Sequence, residues 1–260
     1  MNNFLYENQN IIEEFINKYL NVPTIDIIEL LTEKYHFHNV KNVYFKGNST
    51  ANIFICAHID TLNKKYYGSI ENEIYPLDII YDERKIYLNK IYYQNHPFLK
   101  NKIVLGGDDR CGVYILLKLY DFFENVFPNN VFYFLIDNEE INGGEYIKYV
   151  FDKNIFDNKI IISMDLRGNE MIFYHEYHSN KELAKVFRYF FEKDGYIIRE
   201  KYPDRFCIID YIQKVNKNIF GVNIGCGYYK EHTMEEYIVP SITLKTLHNL
   251  EKIITFIIRP

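Results

Sequence analysis

The sequence predicts an α/β fold, a three-layer α/β/α arrangement around a mostly parallel mixed central sheet, and three observations predict it. Unbroken apolar runs such as Ile53-Phe54-Ile55 and Val131 to Ile136 lack polar alternation, the mark of strands buried on both faces. These runs alternate with segments whose apolar residues recur every three or four positions, the spacing of one helical face. Acidic residues and histidines fall just beyond the runs, where open α/β sheets hold their ligands.

Taken in order, Phe4, Ile11, Ile12, Phe15, Ile16, Tyr19 and Leu20 line one face of a helix from Asn3 to Leu20. Pro23-Thr24 opens a second helix, with Thr24 as its N-cap and Ile27, Ile28, Leu30 and Leu31 toward the core. Val40 to Phe45 reads as a strand, and Asn52 to Cys56 as another that delivers Ala57-His58-Ile59-Asp60-Thr61 at its C-terminal end. Residues 62–101 mix short aromatic and β-branched runs with charges and Asn, which predicts a small β-rich insertion lining or covering the site. Leu105 to Gly112 then packs glycines, Asp108, Asp109 and Arg110 into a strand-loop-helix junction, and a helix from about Cys111 to Asn125 follows. Beyond it the pattern predicts a strand at Val131 to Ile136, a helix from about Glu145 to Phe151, and strands at Lys159 to Met164 and Met171 to Tyr174. A helix at Lys181 to Lys193, a strand at Asn218 to Ile224 and a helix from Ile242 to Ile258, capped by Pro240-Ser241, complete the chain. No internal repeat or linker divides it, so residues 1–260 read as a single domain.

Composition removes several classes of function. The chain is 48% hydrophobic and 25% charged, and no apolar run approaches the ~20 residues of a membrane span, which predicts a soluble protein with no membrane partner. Met1 to Glu7 carries no basic start followed by an apolar block, so no secretory signal is expected and the cytoplasm is the expected compartment. Cys56, Cys111, Cys207 and Cys226 lack CxxC spacing and predict reduced thiols, without a zinc finger or a disulfide framework. A net charge of -5 with dispersed lysines argues against nucleic acid as a partner.

Five groups land at predicted strand ends: His58 with Asp60, Asp108 with Asp109, Glu139 with Glu140, Asp165, and His232. Each alone has an ordinary structural explanation. His58 suits a satisfied core histidine, Asp108 or Asp109 a helix cap, Glu139-Glu140 solvated charge before Gly143-Gly144, Asp165 a turn cap, and His232 a surface loop. Jointly, those explanations must coincide at five strand ends. Mixed carboxylates and imidazoles suit a borderline cation, Zn²⁺ with Mn²⁺ or Co²⁺ as replacements. Two ions about 3.5–4 Å apart share one carboxylate and need terminal ligands each. His-x-Asp also lets the Asp60 carboxylate accept from the other N–H of His58 and fix its tautomer.

These blocks, Ala57-His58-Ile59-Asp60-Thr61, Gly107 to Gly112, Asp137-Asn138-Glu139-Glu140, Met164-Asp165 and Gly227 to Thr233, resemble those of the co-catalytic dizinc exopeptidases, which include aminopeptidases, carboxypeptidases, peptidase T-like tripeptidases and related deacylases. The resemblance implies a zinc-exopeptidase-like fold closest to the single-domain aminopeptidases, because little chain separates His58 from Asp108. It implies that His58 and Asp165 end one metal, that Glu140 and His232 end the other, and that Asp108 bridges, followed by a cis peptide bond. By the same resemblance Glu139 is the general base, and the activity is hydrolysis of a terminal peptide bond by a metal-activated water. Tyr228 or Tyr229 is expected to add an oxyanion donor, and Arg167 to contact substrate. The loop after Glu140 departs from the family pattern: Asn142 stands where a glycine is common.

The substrate implied is a short peptide or an acylated amino acid, and a homo-oligomer is left open. An N-acyl amino-acid deacylase or carboxypeptidase would use the same centre, while a non-catalytic binding module would need no base beside it. His36, His38, His175 and His178 are assigned to strand, rim or surface positions, and Cys111 lacks a neighbouring histidine in sequence to activate it.

Overall fold

The computed structural model describes residues 2–62, 75–82, 84–95, 103–142, 145–174, 180–200, 208–216 and 218–259. Helix α1 (Asn2–Phe15) runs into a wide turn at Ile16–Leu20, and α2 (Thr24–Glu29) into another at Leu30–Lys34. Strands β1 (His38–Val40), β2 (Val43–Lys46) and β3 (Ile53–His58) follow, then β4 (Ile79–Tyr81), β5 (Ile86–Leu88) and α3 (Lys90–Gln94). The long α4 (Gly107–Val126) leads to β6 (Val131–Ile136), α5 (Glu139–Asn142), α6 (Ile147–Val150), β7 (Lys159–Leu166) and β8 (Glu170–Phe173). Last come α7 (Lys181–Lys193), β9 (Ile197–Glu200), α8 (Ile208–Val215), β10 (Ile219–Gly225), β11 (Tyr228–Tyr229), β12 (Tyr237–Ile238) and α9 (Pro240–Ile258).

Eight strands form one sheet in the order β1-β2-β6-β3-β7-β10-β8-β9. The central neighbours β6-β3, β3-β7 and β7-β10 are parallel, as is the edge pair β8-β9, while β1-β2, β2-β6 and β10-β8 are antiparallel. The three layers follow from how side chains alternate across a strand. Along β3, Ile53, Ile55 and Ala57 enter a core shared with α4, α7 and α9, whereas Phe54 and Cys56 enter a second core shared with α6 and α8. Both faces are therefore apolar, which is why the central strands read as unbroken hydrophobic runs.

A second, four-stranded sheet orders as β11-β12-β5-β4. Of the expected insertion at 62–101, β4 and β5 join this sheet, and residues 63–74, 83 and 96–102 lie outside the described residues, as do Gly143-Gly144, His175, His178 and Cys207. Among the described residues no helix is long and apolar enough to cross a membrane.

Three expectations change. The single strand expected at Val40 to Phe45 is a hairpin, because Lys41 and Asn42 both take left-handed backbone (φ 49° and 65°), the turn whose twist matches paired strands. Thr24 is the first residue of α2, whose N-cap is Pro23, and its hydroxyl accepts from Nη2 of the buried Arg110 at 3.0 Å. Strand β9 and helix α8 were not expected, since Ile197-Ile198 is too short a run among charges to declare an edge strand.

Candidate metal centre

Four adjacent parallel strands, β6-β3-β7-β10, end on one edge of the sheet, and each releases a candidate ligand there. His58 is the last residue of β3, Asp165 is next to last in β7, Glu139 and Glu140 open α5 just after β6, and His232 lies in the β11–β12 loop that follows β10. Asp108 and Asp109 interrupt the helical backbone at the start of α4, with φ −85°, ψ 103° and φ −118°, ψ 41°. The peptide bond between them is cis, the isomer the resemblance implies.

These side chains converge. Asp108 turns one carboxylate oxygen to each histidine: Oδ1 lies 3.2 Å from Nε2 of His58, and Oδ2 lies 3.1 Å from Nε2 of His232. Oδ1 of Asp165 is 3.7 Å from the same His58 nitrogen, and Oε1 of Glu140 is 3.1 Å from the same His232 nitrogen. Two nitrogen-and-oxygen clusters therefore share one carboxylate.

The donor chemistry, carboxylates with imidazoles, fits a divalent cation. Nδ1 of His58 faces the Asp60 carbonyl at 2.9 Å, which places the proton there and leaves the Nε2 lone pair toward Asp108 and Asp165. His58, Asp108 and Glu140 each offer an atom within 4.8 Å of the others. Without cations this much buried charge is balanced by protons. Burial works to lower the His58 pKa, but its contacts with Asp108 and Asp60 hold it well above the usual imidazole range. His232 is raised to about 11 by Asp108 and Glu140. Burial pushes Asp165 up, while the two histidines hold Asp108 below the carboxylate range against the same push. Burial also lifts the Glu139 carboxyl to about 7, opposed by His58 and reinforced by Glu140.

Several placements depart from the sequence reading. The Asp60 carboxylate is not the nearest acceptor for His58; at 3.5 Å it yields to its own backbone carbonyl. It accepts instead from the N–H groups of Glu139 at 2.9 Å and Glu140 at 3.1 Å, and so holds both glutamates at the start of α5. Asp109 takes the capping role open to either aspartate, accepting from Gly112 N–H at 2.9 Å and from His58 N–H at 3.3 Å. Gly112 must be glycine, because a Cβ would overlap the Asp109 carboxylate and the Met164 carbonyl. Tyr228 is buried, with burial and Asp108 raising its hydroxyl, whereas Tyr229 is half-buried and shares a cleft with Arg167. Cys111 is fully buried, which pushes its thiol up and keeps it inert as a nucleophile.

Sequence reasoning missed two supporting residues. The Glu236 carboxylate is buried and accepts from Gly106 N–H at 2.9 Å and Asp108 N–H at 3.2 Å. Burial pushes it up to about 8, against the pull of those N–H groups. Its position four residues after His232 was the available signal. Buried Asn223 clasps the backbone of Asp165, accepting from its N–H at 3.0 Å and donating to its carbonyl at 2.8 Å, beside an irregularity in the β7-β10 pairing. An Asn inside an otherwise apolar strand was the signal there.

No protein family matches the chain by sequence, and no curated protein does. Its fold, however, matches solved structures over nearly their whole length. Aminopeptidase PepT from Bacillus cereus superposes with a TM-score of 0.67 at 12% identity, covering 95% of this chain and 98% of that one. A tripeptidase from Staphylococcus aureus gives 0.63 at 12% identity, over 95% and 99%. The TET1 peptidase of Pyrococcus horikoshii gives 0.57 at 11% identity, over 92% and 97%. The chain thus has the fold of these peptidases.

Proposed function

We propose that the chain is a metal-dependent exopeptidase, an aminopeptidase of short peptides, with two Zn²⁺ at this centre, replaceable by Mn²⁺ or Co²⁺, and that residues 1–260 form one catalytic domain. The observation that carries the reading is the division of Asp108, whose two oxygens face His58 at 3.2 Å and His232 at 3.1 Å, each with one further carboxylate beside it. The shared fold supports it. His58 and Asp165 would hold one ion, Glu140 and His232 the other, and Asp108 both.

Bound there, the ions would supply Lewis-acid polarisation of the scissile carbonyl and would acidify the attacking water. Glu139 would take a proton from the attacking water and return it to the departing amine. In the metal-free protein burial lifts its carboxyl above the usual carboxylate range. Asp60 fixes where that carboxyl starts, through the Glu139 N–H. The TET1 peptidase of Pyrococcus horikoshii can assemble into a tetrahedron or a large octahedral shell, and a homo-oligomer of this chain is compatible with the reading.

Metal analysis together with peptides bearing free or blocked N-termini tests the proposal. About two ions per chain are expected, with cleavage of free N-terminal peptides that stops on chelation and returns with Zn²⁺. Faster turnover of blocked substrates would replace the aminopeptidase with a deacylase or carboxypeptidase. Less than one ion per chain and no hydrolysis after adding Zn²⁺, Mn²⁺ or Co²⁺ would leave a binding module.

A further inference from the structure

Helix α4 docks the N-terminal segment along one face. Arg110, Tyr114 and Lys118 are spaced four apart, so they stand on the same side of the helix. Lys118 pairs with Glu14 at 2.9 Å, and Tyr114 packs edge-on against Phe15 and Tyr19, with ring centroids 5.1 Å and 5.2 Å apart. Arg110, in the first turn of α4, meets Thr24 at the start of α2. The two cations of this face are treated differently. Lys118 is partly exposed and is answered by a carboxylate. Arg110 is 0% exposed and is answered by a neutral hydroxyl.

Most of the guanidinium is not answered at all. Nη2 donates to the Thr24 hydroxyl at 3.0 Å, but Nε and Nη1, which carry most of its N–H groups, have no hydrogen-bond partner among the described residues. Arg110 makes no ion pair with any described carboxylate either. The acidic groups around the start of α4 are committed elsewhere. Asp108 turns its oxygens to His58 and His232, Asp109 accepts from the N–H groups of Gly112 and His58, and Glu236 accepts from those of Gly106 and Asp108. A buried carboxyl or imidazole without a partner can change its protonation and become neutral, whereas a guanidinium stays charged. A charge that is out of water, cannot be discharged and has no counter-charge is among the costliest arrangements a fold can hold.

We propose that Arg110 anchors a buried anion site, and that the anion is one chloride ion lying against Nε and Nη1 between the starts of α2 and α4. Burial selects the ligand. With the side chain fully enclosed, the anion must be small and bring no chain of its own. A phosphate or a carboxylate would carry further oxygens, each needing a donor, into a place that offers one cation. A halide brings one negative charge and no hydrogen-bond direction of its own. Arg110 directly follows Asp108-Asp109, so the ion ties the turn that carries both aspartates to the N-terminal segment. The site does not depend on the exopeptidase reading.

Thermal unfolding of the full chain in sodium chloride and in sodium gluconate at equal ionic strength is the test. With chloride at about ten times its dissociation constant, Tm is expected to stand about 3–6 °C above the gluconate value. Bromide is expected to replace chloride. Arg110→Met keeps the bulk of the side chain without its charge, and is expected to unfold at the same temperature in both salts. Equal Tm values for the unmutated protein in the two salts, or a chloride response that survives Arg110→Met, would overturn the site. Should Arg110→Met fail to fold, crystals of the unmutated protein grown in sodium bromide and measured at the bromine absorption edge decide the matter. An anomalous peak in contact with Nε or Nη1 of Arg110 is expected; bromide found only as an adventitious ion at the surface, or not at all, would refute the proposal.

Discussion

The two histidines of the centre are held in opposite ways. The His58 side chain is 1% exposed, ends a strand paired on both sides, and has its ring anchored through Nδ1 to the Asp60 carbonyl. The His232 side chain is 45% exposed, stands at φ 65° in the β11–β12 loop, and meets Asp108 and Glu140 through Nε2. Their partners divide similarly. Asp165 belongs to β7 and is clasped by Asn223, whereas Glu140 opens a four-residue helix placed by Asp60. One half of the site is thus built into the sheet, and the other is assembled by polar contacts between loops. A difference in rigidity of this kind predicts that the two halves retain metal unequally.

The change that abolishes the comparison should have the largest effect. Asp108→Asn removes the element both halves share, and is expected to cost metal at both positions and about 10⁴-fold or more in turnover. Glu139→Gln is expected to lose about 10²–10⁴-fold in kcat while keeping its metal, as befits a group that only moves protons. Elemental analysis beside steady-state kinetics reads both, and equal metal loss in the two variants would refute this division of roles.

Separating the halves comes next. His58→Ala leaves Asp108 and Asp165 buried without their cationic partner, a loss of about 3–5 kcal/mol. In chelator-treated protein this is expected to lower Tm by roughly 10 °C. His232→Ala, at a partly exposed site, should lower Tm by less than His58→Ala and remove about one of the two ions. Scanning calorimetry with metal analysis decides, and a larger fall in Tm for His232→Ala would invert the comparison.

Glu236 joins the halves, because it sits on the segment that carries His232 and accepts from the N–H of Asp108. Glu236→Ala would orphan the buried N–H groups of Gly106 and Asp108, and is expected to weaken Zn²⁺ binding about 10–100-fold. Glu236→Gln keeps one acceptor oxygen and should lose less. Competition with a chromophoric chelator measures this, and unchanged affinity in Glu236→Ala would remove it from the site.

What could be read from the sequence tracks how local its cause is. Strand β6 and helix α7 were legible to the residue, since an apolar run with turn residues beyond it and a three-to-four-residue periodicity are properties of a short window. The five candidate ligands were legible as a set because parallel topology carries strand ends to one edge. Partner identity was not legible. Which Asp60 oxygen serves His58, and which N–H groups the carboxylate serves instead, depends on where α5 begins. Glu236 finds its partners 130 and 128 residues away, and in the sequence it is one of two adjacent glutamates. The hairpin at Lys41-Asn42 was missed for a related reason: neither residue is a glycine, and Asn42 alone is a weak signal for two successive left-handed positions.

The last expected effect concerns protons, and it sharpens the contrast between the histidines. In the metal-free protein His232 is raised to about 11 by Asp108 and Glu140, far above its unfolded value of about 6.5. A raised histidine stabilises the fold in full below the unfolded value and loses that contribution as pH climbs through about 11, so across pH 6–8 the metal-free fold keeps most of it. His58, also raised, adds in the same direction. A ligand imidazole must be neutral at its coordinating nitrogen, so metal can enter only by expelling these protons. Apparent Zn²⁺ affinity should therefore rise by about tenfold per pH unit for each proton released. Titrations in buffers of differing ionisation enthalpy count the protons directly. Replacing the loop-held histidine in His232→Ala should remove about one of them. An affinity that stays flat from pH 6 to 8 would mean that neither imidazole is protonated, and the balance of charge around Asp108 would have to be redrawn.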